Sequence, residues 1–327
     1  MAARMTHTLI EDKGNLTSAL SEIKSQNLLA VDCEGVNLSR LGELTLLTIA
    51  TKAEVFIVDI QKLGQAAFDN GLREVLEDNS IEKLMFDCRQ DSDSLWHQFK
   101  VKLAGVLDIQ LLEIMFRRVN SPSPQRTYKS FRRSARIDDV ENVYGYRKCI
   151  ELYLDDDDMI AKKDKGKLMF NYGRQIWKTR PLPKELVQYC VVDVSGLFPL
   201  YEKLKQSDSD MPRLRVASER YADMFRGKED RRFDEYESNA LLPLEIIPVT
   251  GTLGFPGAST KCTTCDRMFP REEFSGIQLR QGNQKCRVCK KVKLKIDVQI
   301  NREDNWARDD SGDDYYEETQ IDNYYCW

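Results

Sequence analysis

Five short apolar runs in the first third of the chain constrain its fold more than any other feature. Each is four to seven residues long, the length typical of a buried strand. The runs lie at residues 28–32, 44–50, 55–60, 83–86 and 106–109. The first three follow one another closely and predict an antiparallel meander. The last two alternate with helix-patterned segments, so the sequence predicts an α/β domain of about 200 residues.

The chain has 327 residues, which is long enough for about two domains. We expect an α/β domain over residues 1–207 and a charged connecting segment over 208–254. A cysteine-containing module over 255–296 and an acidic, disordered tail over 297–327 follow. The hydrophobic fraction of 41% provides enough apolar material for a core and excludes wholesale disorder.

The sequence has no apolar stretch long enough to span a membrane, and its first residues lack the features of a secretory signal. Five of the nine cysteines are scattered without a disulfide-like arrangement. We therefore expect an intracellular protein of the nucleus or cytoplasm, with reduced thiols and no membrane partner.

Charge is unevenly distributed along the chain. Residues 117–137 contain seven basic residues and no acid, whereas residues 302–327 contain nine acids and two arginines. The basic segment predicts contact with a phosphate backbone, with Tyr128 and Phe131 available for stacking. A solvated loop is the alternative for that segment.

Acidic residues stand at three boundaries between predicted elements. Asp32 and Glu34 end a buried strand, where residues i and i+2 share a face. Asp91 lies where a strand passes into a helix, and Tyr189 and Asp193 are spaced to share one helix face. Taken alone, these residues would be a solvated strand end, a helix cap and an ordinary helix surface. Together they predict a site for two Mg²⁺ or Mn²⁺ ions, which prefer oxygen ligands.

The chain resembles the 3′–5′ exonucleases of the ribonuclease D type, in the branch whose third motif carries a tyrosine. The resemblance covers about residues 8–205 and is closest to Egalitarian-like eukaryotic proteins that contain an exonuclease domain. The segments that carry it are Val31–Gly35, Lys83–Asp91, Val106–Gln110, Trp177–Pro183 and Leu186–Asp193.

This resemblance implies a ribonuclease H-like mixed sheet flanked by helices. It also implies that Asp32, Glu34 and Asp193 hold the metal that activates water, and that Asp32 bridges to a second metal supported by Asp91. Tyr189 would orient the attacking water, and nucleoside 5′-monophosphates would leave from the 3′ end of a single strand. Family analogy favours RNA over DNA. The segments Val31–Gly35, Lys83–Asp91 and Leu186–Asp193 resemble motifs one, two and three of the family. In motif two, Asp87 either faces the pocket or turns away, and Asp93, just beyond it, has no assigned role.

Four cysteines in two pairs predict a structural zinc site with no open ligand position. The ligands are Cys262, Cys265, Cys286 and Cys289. We expect Phe269, Phe274, Ile277 and Leu279 to form a small core around the zinc. Ten basic residues against three acids in residues 261–296 favour contact with nucleic acid, and docking of a protein on this module or on the acidic tail is the alternative.

The sequence therefore predicts a metal-dependent 3′–5′ exonuclease that carries a zinc module. Two alternatives remain open. One is a catalytically silent RNA-binding adaptor on the same fold, and the other is a zinc-scaffolded protein-interaction factor. The complete set of acids with the tyrosine favours the enzyme.

Overall fold

The computed structural model describes residues 5–120, 142–229, 246–248, 253–254, 259–269 and 271–309. The chain divides into two units. The first comprises Met1–Asn120 with Tyr144–Arg231, and the second comprises Ser121–Val143 with Arg232–Trp327.

A six-stranded mixed sheet forms the centre of the first unit. Its strands are β1 (Thr6–Ile10), β2 (Leu28–Val36), β3 (Glu43–Ala50), β4 (Glu54–Asp59), β5 (Glu82–Met85) and β6 (Val106–Asp108). Their order across the sheet is β1-β4-β3-β2-β5-β6. The predicted meander is present, because β3 pairs antiparallel with both β2 and β4. The other neighbours pair in parallel, so the α/β class and the mixed sheet are confirmed.

Helices flank this sheet. They are α1 (Lys13–Ile23), α2 (Ile60–Leu63), α3 (Gln65–Ala67), α4 (Arg73–Glu77), α5 (Arg89–Phe99), α6 (Ile109–Asn120), α7 (Tyr146–Cys149), α8 (Asp157–Leu168), α9 (Lys184–Ser195), α10 (Leu197–Leu204) and α11 (Met211–Arg226). Short π-helical and 3-10 segments adjoin them at Phe68–Leu72, Ile150–Leu154, Met169–Tyr172, Arg174–Lys178 and Asp208–Asp210.

Strands β2, β3 and β4 are mostly apolar, and most of their residues are buried. Such strands fit the middle of a sheet that is covered on both faces. Helix α1 shows how the cover forms, because its buried residues Leu16, Ala19, Leu20 and Ile23 make one apolar stripe. The side chain of Asp12 accepts a hydrogen bond from the backbone N–H of Asn15 and caps the start of this helix.

Two elements of the first unit differ from the sequence predictions. Strand β1 is not among the predicted apolar runs, because its residues are mostly exposed and lack a clear apolar pattern. Helix α11 falls within residues 208–254, predicted as a connecting segment. Its buried face, which includes Leu214, Tyr221 and Phe225, packs against α5 and β6. Charged residues between these positions obscure the helical pattern in the sequence.

The second unit contains a two-stranded ribbon and two helices. Its elements are β7 (Thr260–Lys261), β8 (Met268–Phe269), α12 (Gly276–Gln281) and α13 (Arg287–Asp309), with a 3-10 turn at Arg271–Glu273. Phe269 and Phe274 are buried with Cys262, Cys286 and Cys289, and the partly buried Cys265 and Leu279 pack against them. The prediction for Ile277 was wrong, since its side chain is 59% exposed.

Helix α13 continues past residue 296 to Asp309, so the first part of the predicted acidic tail is helical. The rest of that tail lies outside the described residues. Within the described part of the chain, no helix combines the length and the apolar character needed to cross a membrane.

Candidate active site

Strand β2 carries two carboxylates that point the same way, next to an irregularity in the sheet. Asp32 pairs with Thr48 of β3 and Glu34 pairs with Leu46, and the register shifts immediately after Glu34. A bulge of this kind re-aims side chains and is common beside active sites. One carboxylate oxygen each from Asp32, Glu34 and Asp193 lie within 4.8 Å of one another, so the structure brings the first and third sequence motifs together.

Asp91 of α5 lies beside this group, although its carboxylate is not within 4.8 Å of all three. It lies in the first turn of the helix and is buried, and its Oδ1 accepts a hydrogen bond of 2.9 Å from the backbone N–H of Cys33. Because Cys33 stands between Asp32 and Glu34, this bond fixes Asp91 against the strand that carries the other two acids. The second motif therefore lies beside the first.

Helix α9 supplies both predicted residues of the third motif. Tyr189 and Asp193 are buried and lie one turn apart. Burial raises the pKa of the Asp193 carboxyl, and a hydrogen bond from Tyr189 opposes part of that rise. The rings of Phe170 and Trp177 pack at 5.6 Å and 6.0 Å from the Tyr189 ring. These contacts hold the Tyr189 ring in place and show that Trp177 is a packing residue against α9.

Burial raises the pKa of each of the four acids. The pKa values of Asp32 and Glu34 lie well above the usual range because of burial and the charges of neighbouring acids. Burial is also the main cause for Asp193, and it raises the pKa of Asp91 to about 7. Carboxylates that repel one another in this way favour a cation between them.

The donor set fits Mg²⁺ or Mn²⁺. All four side chains offer carboxylate oxygens, the ligands that these hard cations prefer. The Oδ2 atom of Asp32 is buried, and the described residues give it no hydrogen-bond partner. An unsatisfied buried polar atom is costly, and a bound cation would remove that cost.

Lys163 of α8 belongs to this site, and the sequence did not reveal it. Its Nζ atom donates to both carboxylate oxygens of Asp193, at 2.5 Å and 2.6 Å. Helix α8 is polar on most sides and buries only Gly166, so its sequence pattern does not indicate which lysine faces inward. Gly166 was the available signal in the sequence, because a glycine inside a helix can mark close packing against a neighbouring element. A Cβ there would lie 2.5–2.8 Å from atoms of Tyr189, so α8 lies directly against α9.

The other two acids in and beside motif two, Asp87 and Asp93, form ion pairs with arginines. Asp87 adopts a positive φ of 57° and pairs with Arg89 at 2.5 Å and 2.6 Å. Asp93 is fully buried and bonds to the backbone and the guanidinium group of Arg40. Neither belongs to the group of three carboxylates that could hold a metal ion.

The cysteines inside the three motifs are buried and inert. Burial is the main cause that raises the pKa of the thiols of Cys33, Cys88 and Cys190 well above the ordinary value. They remain protonated at neutral pH and pack as small apolar side chains. Most of the basic segment at 117–137, including Tyr128 and Phe131, lies outside the described residues.

In the second unit, the four cysteines form a compact cluster with all sulfur atoms within 4.8 Å of one another. The separations of Cys262 from Cys289 and of Cys265 from Cys286 are 3.9 Å. Four thiolates around a tetrahedral Zn²⁺ have edges of about 3.8 Å. The backbone N–H groups of Thr264 and Cys286 donate to Cys262 Sγ. Hydrogen bonds of this kind orient a ligand atom toward a bound metal ion.

Comparisons with known proteins agree with this geometry. The sequence model of the 3′–5′ exonuclease family matches residues 7–207. The piRNA biogenesis protein EXD1 of Mus musculus is 30% identical over 249 residues, which is 74% of this chain and 40% of that protein. The protein of the same name from Homo sapiens is 29% identical over 249 residues, 74% of this chain and 45% of its own length. The chain thus spans less than half the length of these two relatives.

Solved structures share the fold. The crystal structure of Trypanosoma brucei RNase D has a TM-score of 0.58 and 19% identity. The match covers 86% of this chain and 92% of the RNase D chain. The complex of that RNase D with RNA U12 has a TM-score of 0.57 and 20% identity. The match covers 83% of this chain and 94% of the RNase D chain.

Proposed function

Since the chain belongs to the 3′–5′ exonuclease family, we propose that its carboxylate site hydrolyses phosphodiester bonds of single-stranded RNA from the 3′ end. The product of this reaction is a nucleoside 5′-monophosphate. The observation that carries the proposal is the convergence of Asp32, Glu34 and Asp193 within 4.8 Å, with Asp91 bonded to the same strand.

In this proposal, Asp32, Glu34, Asp91 and Asp193 hold two Mg²⁺ or Mn²⁺ ions. When bound, such a pair supplies activation of water and stabilisation of the charge on the leaving oxygen. The rigid strand β2 fixes Asp32 and Glu34, while α9 carries Asp193 toward them. The protein therefore contributes a preformed set of oxygen donors from three separate elements.

Tyr189 orients the attacking water in this proposal. Burial, followed by the charges of nearby acids, raises the pKa of its phenol well above the ordinary value. The phenol therefore stays protonated at neutral pH and acts as a hydrogen-bond donor or acceptor, not as an anionic base. The packing of Phe170 and Trp177 against its ring keeps the hydroxyl in one position.

RNA as the substrate is supported by the relatives. The curated relatives are piRNA biogenesis proteins, and a structural neighbour is an RNase D in complex with an RNA. We further propose that the cysteine cluster holds one structural Zn²⁺. The cluster would then stabilise a small unit whose basic residues contact the RNA strand, and a protein partner is the alternative. We propose that the protein acts inside the cell, in the nucleus or cytoplasm, where thiols stay reduced.

The test is a cleavage assay on the zinc-loaded full chain with 5′-labelled single-stranded RNA and DNA of one sequence, in Mg²⁺ and in Mn²⁺. We expect a ladder that shortens from the 3′ end, faster on RNA. Asp32→Asn should abolish the ladder and leave the fold intact. Asp69→Asn, a change of the same kind at an exposed helix position, is the matched control.

Two outcomes would contradict the proposal. Cleavage that persists in a clean preparation of Asp32→Asn would remove the carboxylate site from the mechanism. RNA binding without cleavage by the wild-type protein would instead identify a silent adaptor on the exonuclease fold.

A further inference from the structure

Lys163 places a positive charge directly on one of the site carboxylates. It lies on α8, its side chain is 14% exposed, and its Nζ atom bonds to both oxygens of Asp193. The two residues are 30 positions apart in the sequence, so the contact depends on the close packing of α8 against α9. An ion pair this well shielded is screened little by salt.

Two aromatic rings hold the ammonium group in this position. The Nζ atom lies 3.9 Å from the ring centroid of Tyr189 and 5.2 Å from that of Tyr146, within the range of cation–π attraction. The hydroxyl of Tyr146 donates at 2.7 Å to the carbonyl of Val192, next to Asp193 in α9. Lys163, Asp193 and both tyrosines therefore form one connected group.

The charge of Lys163 reaches the acids of β2 as well as its own partner. It opposes the upward shift in the pKa values of Asp32, Glu34 and Asp193. In a site crowded with carboxylates, an ammonium group offsets part of the repulsion that would otherwise destabilise the metal-free protein.

The same group opposes binding of a divalent cation. A metal ion that coordinates Asp193 must approach a carboxylate whose two oxygens already accept bonds from Lys163. It also meets a like charge at short range, where the low dielectric strengthens repulsion. Lys163 and the metal ion therefore compete for Asp193.

We propose that Lys163 is the internal counter-ion of the carboxylate site, which positions Asp193 in the metal-free protein and lowers the affinity of the site for divalent metal. This proposal rests on the metal-dependent function proposed above. Lys163 would stabilise the metal-free protein and would weaken the binding of metal by the same contact with Asp193. It acts on the reaction through Asp193 and Tyr189, as a positioning residue.

The first experiment measures Mn²⁺ affinity by electron paramagnetic resonance of free Mn²⁺, with the zinc-loaded full chain at one pH. Lys163→Met and Lys163→Gln both remove the charge, and we expect each to bind Mn²⁺ about tenfold more tightly than the wild type. Lys163→Arg keeps the charge and should stay near the wild-type affinity. Lys165→Met, at an exposed position of the same helix, is the matched control and should change nothing.

The second experiment measures thermal stability with and without saturating Mn²⁺. Without Mn²⁺, Lys163→Met should melt below the wild type because Asp193 loses its partner. The gain in melting temperature on adding Mn²⁺ should be larger than in the wild type. A variant that folds only with Mn²⁺ present would be the extreme form of this result and would support the proposal.

Unchanged or weaker Mn²⁺ affinity in both charge-removing variants would overturn the counter-ion role, as would variants that fail to fold even with Mn²⁺. Asp32→Asn separates this failure from that of the proposed function. If wild type and Asp32→Asn bind Mn²⁺ equally, the carboxylate site does not bind metal. That result would reject the proposed function itself, whatever the Lys163 variants show.

Discussion

The backbone N–H of Cys33 donates to Asp91 Oδ1 at 2.9 Å, and this one bond joins the first acidic motif to the second. The two residues are 58 positions apart. Asp91 therefore uses one oxygen to anchor α5 to β2, and it does not cap α5, whose N-cap residue Cys88 makes no side-chain bond. The thiol of Cys33 also forms a hydrogen bond with the Asp91 carboxyl.

The raised pKa of Asp91 predicts that the protein without Mg²⁺ or Mn²⁺ loses stability as the pH rises. Its folded-state pKa is about 7, whereas that of an exposed Asp is about 3.9. Between these values the native state binds more protons than the unfolded state. The free energy of unfolding then falls by up to about 1.4 kcal/mol per pH unit for this carboxyl.

Urea unfolding between about pH 4 and pH 7 measures this slope. Asp91→Asn should make the slope less steep, because one of the four carboxyls with a raised pKa no longer titrates. Saturating Mg²⁺ should also flatten it by holding the site in its ionised form. A wild-type stability that increases with pH in this range would contradict the assignment.

Removal of the Tyr189 hydroxyl should slow cleavage more than it weakens RNA binding. Tyr189→Phe keeps the aromatic packing with Phe170 and Trp177 but loses the bond to Asp193. We expect kcat to fall by about tenfold to a hundredfold, with the Kd for RNA nearly unchanged. Single-turnover cleavage and fluorescence anisotropy measure the two quantities, and an unchanged rate would exclude Tyr189 from the mechanism.

The sequence predicted what depends on local pattern. Apolar runs identified β2 to β6, and acids at the ends of predicted elements identified Asp32, Glu34, Asp91 and Asp193 as candidates. Lys163 could not be predicted in this way, because its role comes from a contact between two helices. The same holds for α11, whose apolar face becomes evident only when it packs against α5.

Gly166 should tolerate no side chain. An added Cβ would lie 2.5–2.8 Å from Cδ2, Cβ and Cγ of Tyr189, and the Cβ atom of Tyr189 cannot move without its backbone. Gly166→Ala should lower the free energy of unfolding by about 1–3 kcal/mol and reduce cleavage by displacing Tyr189. Gly145→Ala is the control, since a Cβ there meets no atom within 4 Å. Equal stability of the two variants in urea would refute the close contact.

Loss of one cysteine ligand should release the zinc and unfold the second unit alone. Cys262 is fully buried and its sulfur accepts two backbone hydrogen bonds, so Cys262→Ser removes both a ligand and its supports. Binding of structural zinc contributes about 10–16 kcal/mol in small modules. Metal analysis should give one zinc per chain in the wild type and in Cys326→Ser, and none in Cys262→Ser.

The spread of the site along the chain has a consequence for protein synthesis. Asp32 and Glu34 leave the ribosome before Asp193, which follows about 160 residues later, at roughly 5–20 residues per second. Until α9 has emerged and packed against β2, the growing chain holds only part of its carboxylate set. Nascent chains and fragments that end before α9 are therefore without the complete site, however well their strands have formed.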